Sequence, residues 1–145
     1  MRIEHVEKTE YPELLAVWES SVRATHHFLE EADIEALRPL ILDHYFDAVE
    51  LRCVRDAHGK ILGFSGVADG NLEMLFIAPD HRGKGVGTAL CTHAIRHGVN
   101  RVDVNEQNPQ ALGFYEHLGF VRVGRSPLDG QGRPFPLLHL ALCQG

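Results

Sequence analysis

Residue types and spacing point most directly to chemistry in the run Leu75-Phe76-Ile77-Ala78-Pro79-Asp80-His81-Arg82-Gly83-Lys84-Gly85-Val86-Gly87-Thr88. An apolar stretch ends, a glycine-rich loop follows, and an amphipathic pattern begins. The first turn of a helix presents unpaired backbone N–H groups and about half a positive charge. Glycines at 83, 85 and 87 let an anion approach that backbone closely. Arg82 and Lys84 add positive charge beside it. Together these residues predict a phosphate cradle. A nucleotide-binding P-loop needs G-x-x-x-x-G-K followed by Ser or Thr, a spacing that is missing here. The dinucleotide fingerprint G-x-G-x-x-G also fails. Its third glycine is replaced by Thr88 when counted from Gly83 and by Leu90 when counted from Gly85.

The elements around this loop follow from pattern and punctuation. Ile3–Glu7 alternates as a first strand would. Pro12 opens a helix running to about Val22, with Leu14, Leu15, Val17 and Trp18 on its apolar side. Asp33 is expected to cap a second helix, which Pro39 interrupts before a helical pattern resumes over Leu40–Phe46. Leu51–Arg55 and Ile61–Ala68 flank a loop holding Gly59, and Asp69-Gly70 turns the chain into Leu72–Ile77, which predicts an antiparallel meander. A helix follows the glycine loop to His97, then a strand over Arg101–Asn105. Asn108-Pro109 at its start and Gly119 past its end delimit the last helix. Phe120–Arg125 and Leu137–Leu142 close the chain as strands. The order β-αα-βββ-α-β-α-ββ is that of an α+β domain with a mixed α/β layout.

The chain has 145 residues, 44% of them hydrophobic and 23% charged, and reads as a single domain over residues 1–145. No apolar run is long enough to cross a membrane, and the Met-Arg-Ile-Glu-His-Val-Glu-Lys start is too charged for a secretory signal. The net charge of −6 argues against nucleic-acid and membrane partners. It would, however, attract a cationic acceptor. Cys53, Cys91 and Cys143 are odd in number and widely spaced, which suits inert thiols in a reducing cytoplasm. His93 and His97 share a helix face, but Ala94 stands where a zinc protease motif needs Glu, so no metal is expected. No G-x-S-x-G occurs, so a serine hydrolase is not expected either.

Arg82-x-x-Gly85-x-Gly87 resembles the coenzyme A signature of the GNAT family of acetyltransferases. Leu-Phe-Ile-Ala-Pro upstream looks like that family's fourth strand. Asn105-Glu106-Gln107-Asn108 followed by Ala111-Leu112-Gly113-Phe114-Tyr115-Glu116-His117-Leu118-Gly119-Phe120 resembles its second conserved stretch. The likeness covers essentially the whole chain. The Trp18–Leu29 segment and Asn-Glu-Gln-Asn further resemble the family's YjaB-like branch of small bacterial members.

The resemblance implies the GNAT acyl-CoA N-acyltransferase fold, a central mostly antiparallel sheet flanked by helices. It also implies acetyl transfer from acetyl-CoA to an amine by direct attack in a ternary complex. Backbone groups of Phe76 and Ile77 would pair with the pantetheine arm. Backbone N–H groups of Arg82, Gly83, Lys84, Gly85, Val86, Gly87 and Thr88 would hold the pyrophosphate. Asn108 would contact the arm and Phe114 would pack near it. Tyr115 matches the position that protonates the departing thiolate, or is simply a core aromatic. A strand N–H near Ile77 would stabilise the oxyanion formed on thioester attack. An alkyl ammonium of pKa about 10.4 must lose a proton before it attacks. Glu73 is the first choice of base, as it is expected to share a strand face with Leu75 and Ile77, and Asp103 is the alternative. Trp18, Ser21, Thr25, His26, Phe28 and Tyr45 are candidates for acceptor binding. The acceptor would be a small molecule or a protein lysine or N-terminus, and the enzyme a monomer or homodimer. A non-catalytic CoA-binding regulatory module is the alternative function.

Overall fold

Asp69 and Gly70 both adopt left-handed backbone, with φ of 51° and 77°. Positive φ at both central residues is what a type I′ two-residue hairpin turn requires, and its twist matches that of the strands. A computed structural model of the chain describes residues 1–26, 29–130 and 132–142, and the chain divides into two compact units, Met1–Val99 and Asn100–Gly145.

In the first unit, strands β1 (Glu4–His5), β2 (Glu50–Arg55), β3 (Ile61–Ala68) and β4 (Asn71–Ile77) pair antiparallel in that order. The predicted meander is therefore present. The first strand is shorter than the alternation over Ile3–Glu7 suggested. Helix α1 (Tyr11–Thr25) has Pro12 in its first turn and buries Leu14, Leu15, Val17, Trp18, Ser21 and Val22. Helix α2 (Glu31–Leu40) is capped by Glu30 rather than Asp33. Asp33 is the third helical residue, and its carboxylate accepts the Glu30 N–H at 2.9 Å. Pro39 stands inside α2 without ending it. Proline lacks the N–H that the i−4 carbonyl would accept, and the chain widens into a π turn at Ile41–Tyr45 before a 3-10 turn at Phe46–Ala48.

One face of this sheet packs on α1, α2 and the turns after it through Phe46, Ile61 and Phe64, with Met74 and Phe76 at the margin. The Phe46 and Phe64 rings meet edge-on at 5.8 Å, and Phe64 lies 5.7 Å from Phe76. The other face carries Val54 with Leu62, Leu75 and Ile77, against Val86 and Leu90 of helix α3 (Val86–Arg96). Fully burying such a side chain contributes about 1.5–3 kcal/mol.

In the second unit, β5 (Arg101–Asn105), β6 (Phe120–Ser126) and β7 (Leu137–Leu142) form the antiparallel order β5-β7-β6, so the last strand inserts between the other two. Helix α4 (Pro109–His117) has Asn108 as its cap, whose Oδ1 accepts the Ala111 N–H at 3.2 Å, and Gly119 follows it at φ 105°. Val102, Val104, Leu138 and Leu140 are buried, and the intervening Asp103 and His139 stand on the opposite face.

Candidate active site

The glycine-rich loop expected to cradle phosphate is built by the first unit. Phe76 pairs with Phe64 and Ile77 with Gly63, and Ala78 N–H then donates to Leu62 O at 2.8 Å, which ends β4. A 3-10 turn at Pro79–His81 leads to Gly83, with φ 77°, and to Gly85, the cap of α3, with φ 85°. A Cβ at Gly83 would meet nothing within 4 Å, so conformation and not space calls for glycine there. Gly87 lies in the first turn of α3 and is not left-handed. The first intrahelical bond runs from Ala89 N–H to Gly85 O at 2.9 Å. The N–H groups of Val86, Gly87 and Thr88 lie ahead of it, where a helix has no internal acceptor to offer. Arg82, Gly83, Lys84, Gly85 and Thr88 are exposed, whereas Val86 is buried and contributes backbone alone. These features fit a diphosphate with adjacent cations, which is the chemistry a CoA pyrophosphate demands.

Phe76 and Ile77 point their side chains into the two cores, so their backbone is what remains for a ligand. Glu73 is exposed at a β-bulge. The pairing moves from Gly66–Met74 to Val67–Leu72 and skips it. Simple alternation from Ile77 and Leu75 does not carry through a bulge, so the expected shared face does not follow.

Among the acceptor candidates, Trp18 (4% exposed) and Ser21 are buried, and Trp18 belongs to the α1 core. Trp18 is therefore a packing residue, because the predicted apolar stripe of α1 is satisfied by the sheet beneath it. Tyr45 packs on the margin of the same core from the π turn. Thr25 and His26 sit half-buried at the end of α1. Thr25 Oγ1 lies 2.8 Å from Ser21 O and 2.7 Å from His26 Nδ1. With its one proton given to Ser21 O, the hydroxyl accepts from Nδ1–H, which assigns the tautomer. Phe28 and the neighbouring His27, like Cys143, lie outside the described residues.

The second unit holds the remaining candidates. Tyr115 is 7% exposed, and its ring lies edge-on to Phe114 at 5.1 Å and to Phe120 at 5.7 Å. Asn108 Oδ1 serves as the helix cap, which leaves its Nδ2 donors for a ligand. Asp103 is not a lone carboxylate: its Oδ1 is 2.6 Å from His139 Nδ1, and His139 Nε2 is 2.6 Å from Ser126 Oγ. Neither His139 nor Ser126 stood out in the sequence. The available signal was the polar residue between Leu138 and Leu140, opposite in phase to the apolar positions. Among the described residues, no cluster of three or more His, Cys, Asp or Glu is arranged to hold a metal ion, and no helix is long and apolar enough to cross a membrane.

The family model of the acetyltransferase (GNAT) domain matches residues 48–122. The chain is 41% identical to the peptidyl-lysine N-acetyltransferase YjaB of Salmonella typhimurium over 128 residues, 88% of each chain. It is 40% identical to YjaB of Escherichia coli over 130 residues, covering 89% of this chain and 88% of that one. The solution structure of apo-form YjaB from Escherichia coli superposes with a TM-score of 0.88 at 37% identity, over 99% and 98% of the two chains. The PaiA N-acetyltransferase of Thermoplasma acidophilum in complex with coenzyme A shares the fold, with a TM-score of 0.74 at 17% identity over 98% of each chain.

Proposed function

We propose, from the premise that this chain belongs to the GNAT family of acetyltransferases and is an N-acetyltransferase, that residues 1–145 act as one catalytic domain carrying the acetyl group of acetyl-CoA to the side-chain amine of a polypeptide lysine. The observation that carries this reading is the left-handed Gly83 and Gly85 leading into the N-terminus of α3, with Arg82 and Lys84 beside it. The choice of lysine is supported by the two YjaB relatives, which bear that activity in their names and match nearly nine-tenths of the chain. A net charge of −6 favours a cationic acceptor.

The N–H groups from Arg82 to Thr88 hold the pyrophosphate, and the Phe76 and Ile77 backbone pairs with the pantetheine arm. Asn108 contributes its Nδ2 donors and Phe114 an apolar surface. Acetyl-CoA supplies an activated carbonyl and a thiolate leaving group. Tyr115 protonates the thiolate: a phenol of pKa about 10 can give a proton to a thiolate whose acid has pKa about 8.5 only with help from positioning, so its effect is on rate. Thr25 and His26 line the acceptor side.

We also place the protein in the cytoplasm. Cys53 and Cys91 are buried free thiols. Burial pushes Cys53 up to about 11 and Cys91 up to about 12, which makes them inert in the way a reducing compartment permits.

The deciding experiment is release of free thiol from acetyl-CoA with purified protein and a panel of lysine peptides and small amines, with products read by mass spectrometry. Acetyl-lysine is the expected product. Transfer only to small amines would overturn the acceptor class. Tight CoA binding with no thiol release on any amine would favour a CoA-binding regulatory module.

A further inference from the structure

Asp103, His139 and Ser126 form a continuous hydrogen-bonded chain across three neighbouring strands of the second unit. Asp103 on β5 lies directly opposite His139 on β7, and His139 lies opposite Gly124 on β6. A bulge in β6, where the register passes from Arg122–Leu140 to Gly124–His139 and skips Val123, sets Gly124 beside the histidine. A Cβ at Gly124 would sit 3.5 Å from the His139 Cδ2. The ring spans toward Ser126, and its two nitrogens lie 2.6 Å from Asp103 Oδ1 and 2.6 Å from Ser126 Oγ.

Stability gives little reason for this arrangement. The His139 and Asp103 side chains are 36% and 43% exposed. Pairs that open to solvent contribute about 0–1 kcal/mol. The order hydroxyl, imidazole, carboxylate is that of an activated hydroxyl with an oriented base behind it. Asp103 accepts Nδ1–H, which leaves the Nε2 lone pair to receive the Ser126 proton. The charged groups on the ring's own face are Asp103 opposite and Arg101 two residues along β5, while Arg125 pairs with Leu138 and stands on the other face.

We propose that His139, acting through the Ser126 hydroxyl and oriented by Asp103, accepts the proton that the acceptor ammonium must lose. The inference rests on the acetyltransferase reading above. The ammonium N–H bond breaks toward Ser126 Oγ as the hydroxyl passes its own proton to His139 Nε2. Asp103 holds the imidazolium, which later releases the proton to water. The freed amine forms the C–N bond and the C–S bond breaks. The second proton of the nitrogen goes to the departing thiolate through Tyr115. Asp103, the sequence's alternative base, becomes a positioning residue, and Glu73 has no part in the step.

The test is the pH dependence of kcat/KM for a lysine peptide with wild type, H139Q, S126A, D103N and E73Q, with CoA affinity and circular dichroism confirming that each variant is folded. General-base catalysis contributes about 10²–10⁴-fold, so H139Q is expected to lose on the order of 100-fold near neutral pH. Its rate should then climb with pH toward the lysine's own pKa of about 10.4, where wild type has levelled off. The loss should shrink for an α-amine acceptor of pKa about 8, which needs the base less. S126A should follow H139Q, and E73Q should keep the wild-type profile. A wild-type profile in H139Q, or loss of its acidic limb in E73Q instead, would overturn the proposal while leaving the acetyltransferase reading intact. An acetyl group found on Ser126 as a kinetically competent species would also overturn it, since the hydroxyl would then be a nucleophile. Absence of thiol release by wild type on every amine would overturn both readings together.

Discussion

Gly63 of β3 and Val86, the first residue of α3, approach so closely that a Cβ on Gly63 would stand 3.0 Å from Val86 Cγ1. The same Cβ would stand 2.7 Å from Ile77 Cδ1. The missing side chain lets the start of α3 settle on the sheet, and the backbone groups that start there are the ones proposed to hold the pyrophosphate. Gly63→Ala is expected to cost about 1–3 kcal/mol, the range for overpacking a filled core. It should also weaken CoA binding by displacing the helix start. Calorimetric Kd values and thermal melts check both. A stable variant with unchanged affinity would disconnect this contact from the cradle.

Gly85→Ala tests the cradle directly. At φ 85° an alanine pays about 1–2 kcal/mol for the left-handed conformation. Relief of that strain would rotate the N–H groups at the start of α3 away from their common focus. CoA affinity should fall about tenfold or more, while Gly113→Ala, in the middle of α4 with nothing within 4 Å of its added Cβ, should leave CoA affinity unchanged. Equal affinities in both variants would count against the phosphate reading.

Tyr115 separates chemistry from packing, because its ring lies edge-on to Phe114 and Phe120. Tyr115→Phe keeps that ring and removes the hydroxyl. The expected result is a lower kcat with CoA affinity unchanged and only a small change in melting temperature. Tyr115→Ala should instead cost about 3–5 kcal/mol of stability. Unchanged turnover in Tyr115→Phe would leave the residue as core alone.

Acid sensitivity should come in part from the contact of Glu10 with Arg55. Both Glu10 carboxylate oxygens lie 2.7 Å from Arg55 Nη2. The hydrogen bond from Arg55 is the largest cause holding the Glu10 carboxyl below its ordinary range, followed by the bond from the Glu7 backbone N–H. The folded form thus keeps Glu10 ionised to lower pH than the unfolded chain does, and unfolding takes up a proton. The stabilisation is present above the unfolded value of about 4.3 and is lost as pH falls through the lower folded value. Melting temperature should be flat in this respect near neutrality and drop below about pH 4, and Glu10→Gln should flatten that drop. An identical acid profile in the variant would remove Glu10 from the account.

Much of the architecture is legible in short segments. Asn108-Pro109 and Gly119 delimit α4 because capping and left-handed termination are local events. Asp69-Gly70 makes its hairpin for the same kind of reason. The left-handed backbone at Gly83 and Gly85 was readable because glycine adopts it without steric cost. Pro39 was only half readable: proline forbids one hydrogen bond, but whether the chain breaks or shifts to a wider turn depends on the packing of Ile41 and Phe46 into the core. The exposed or buried fate of Trp18 and the bulge at Glu73 were likewise settled by what lies opposite them.

The sequence by itself determined most of the helices and strands, the family, and a glycine loop whose backbone suits an anion. Only the tertiary structure decided that β7 inserts between β5 and β6, and with it that His139 reaches Asp103, 36 residues away, and Ser126, 13 residues away. Strand order and register between distant segments are set by the simultaneous burial of Val102, Val104, Leu138 and Leu140 and by ladder hydrogen bonds. These are non-local terms that no short stretch of residues encodes.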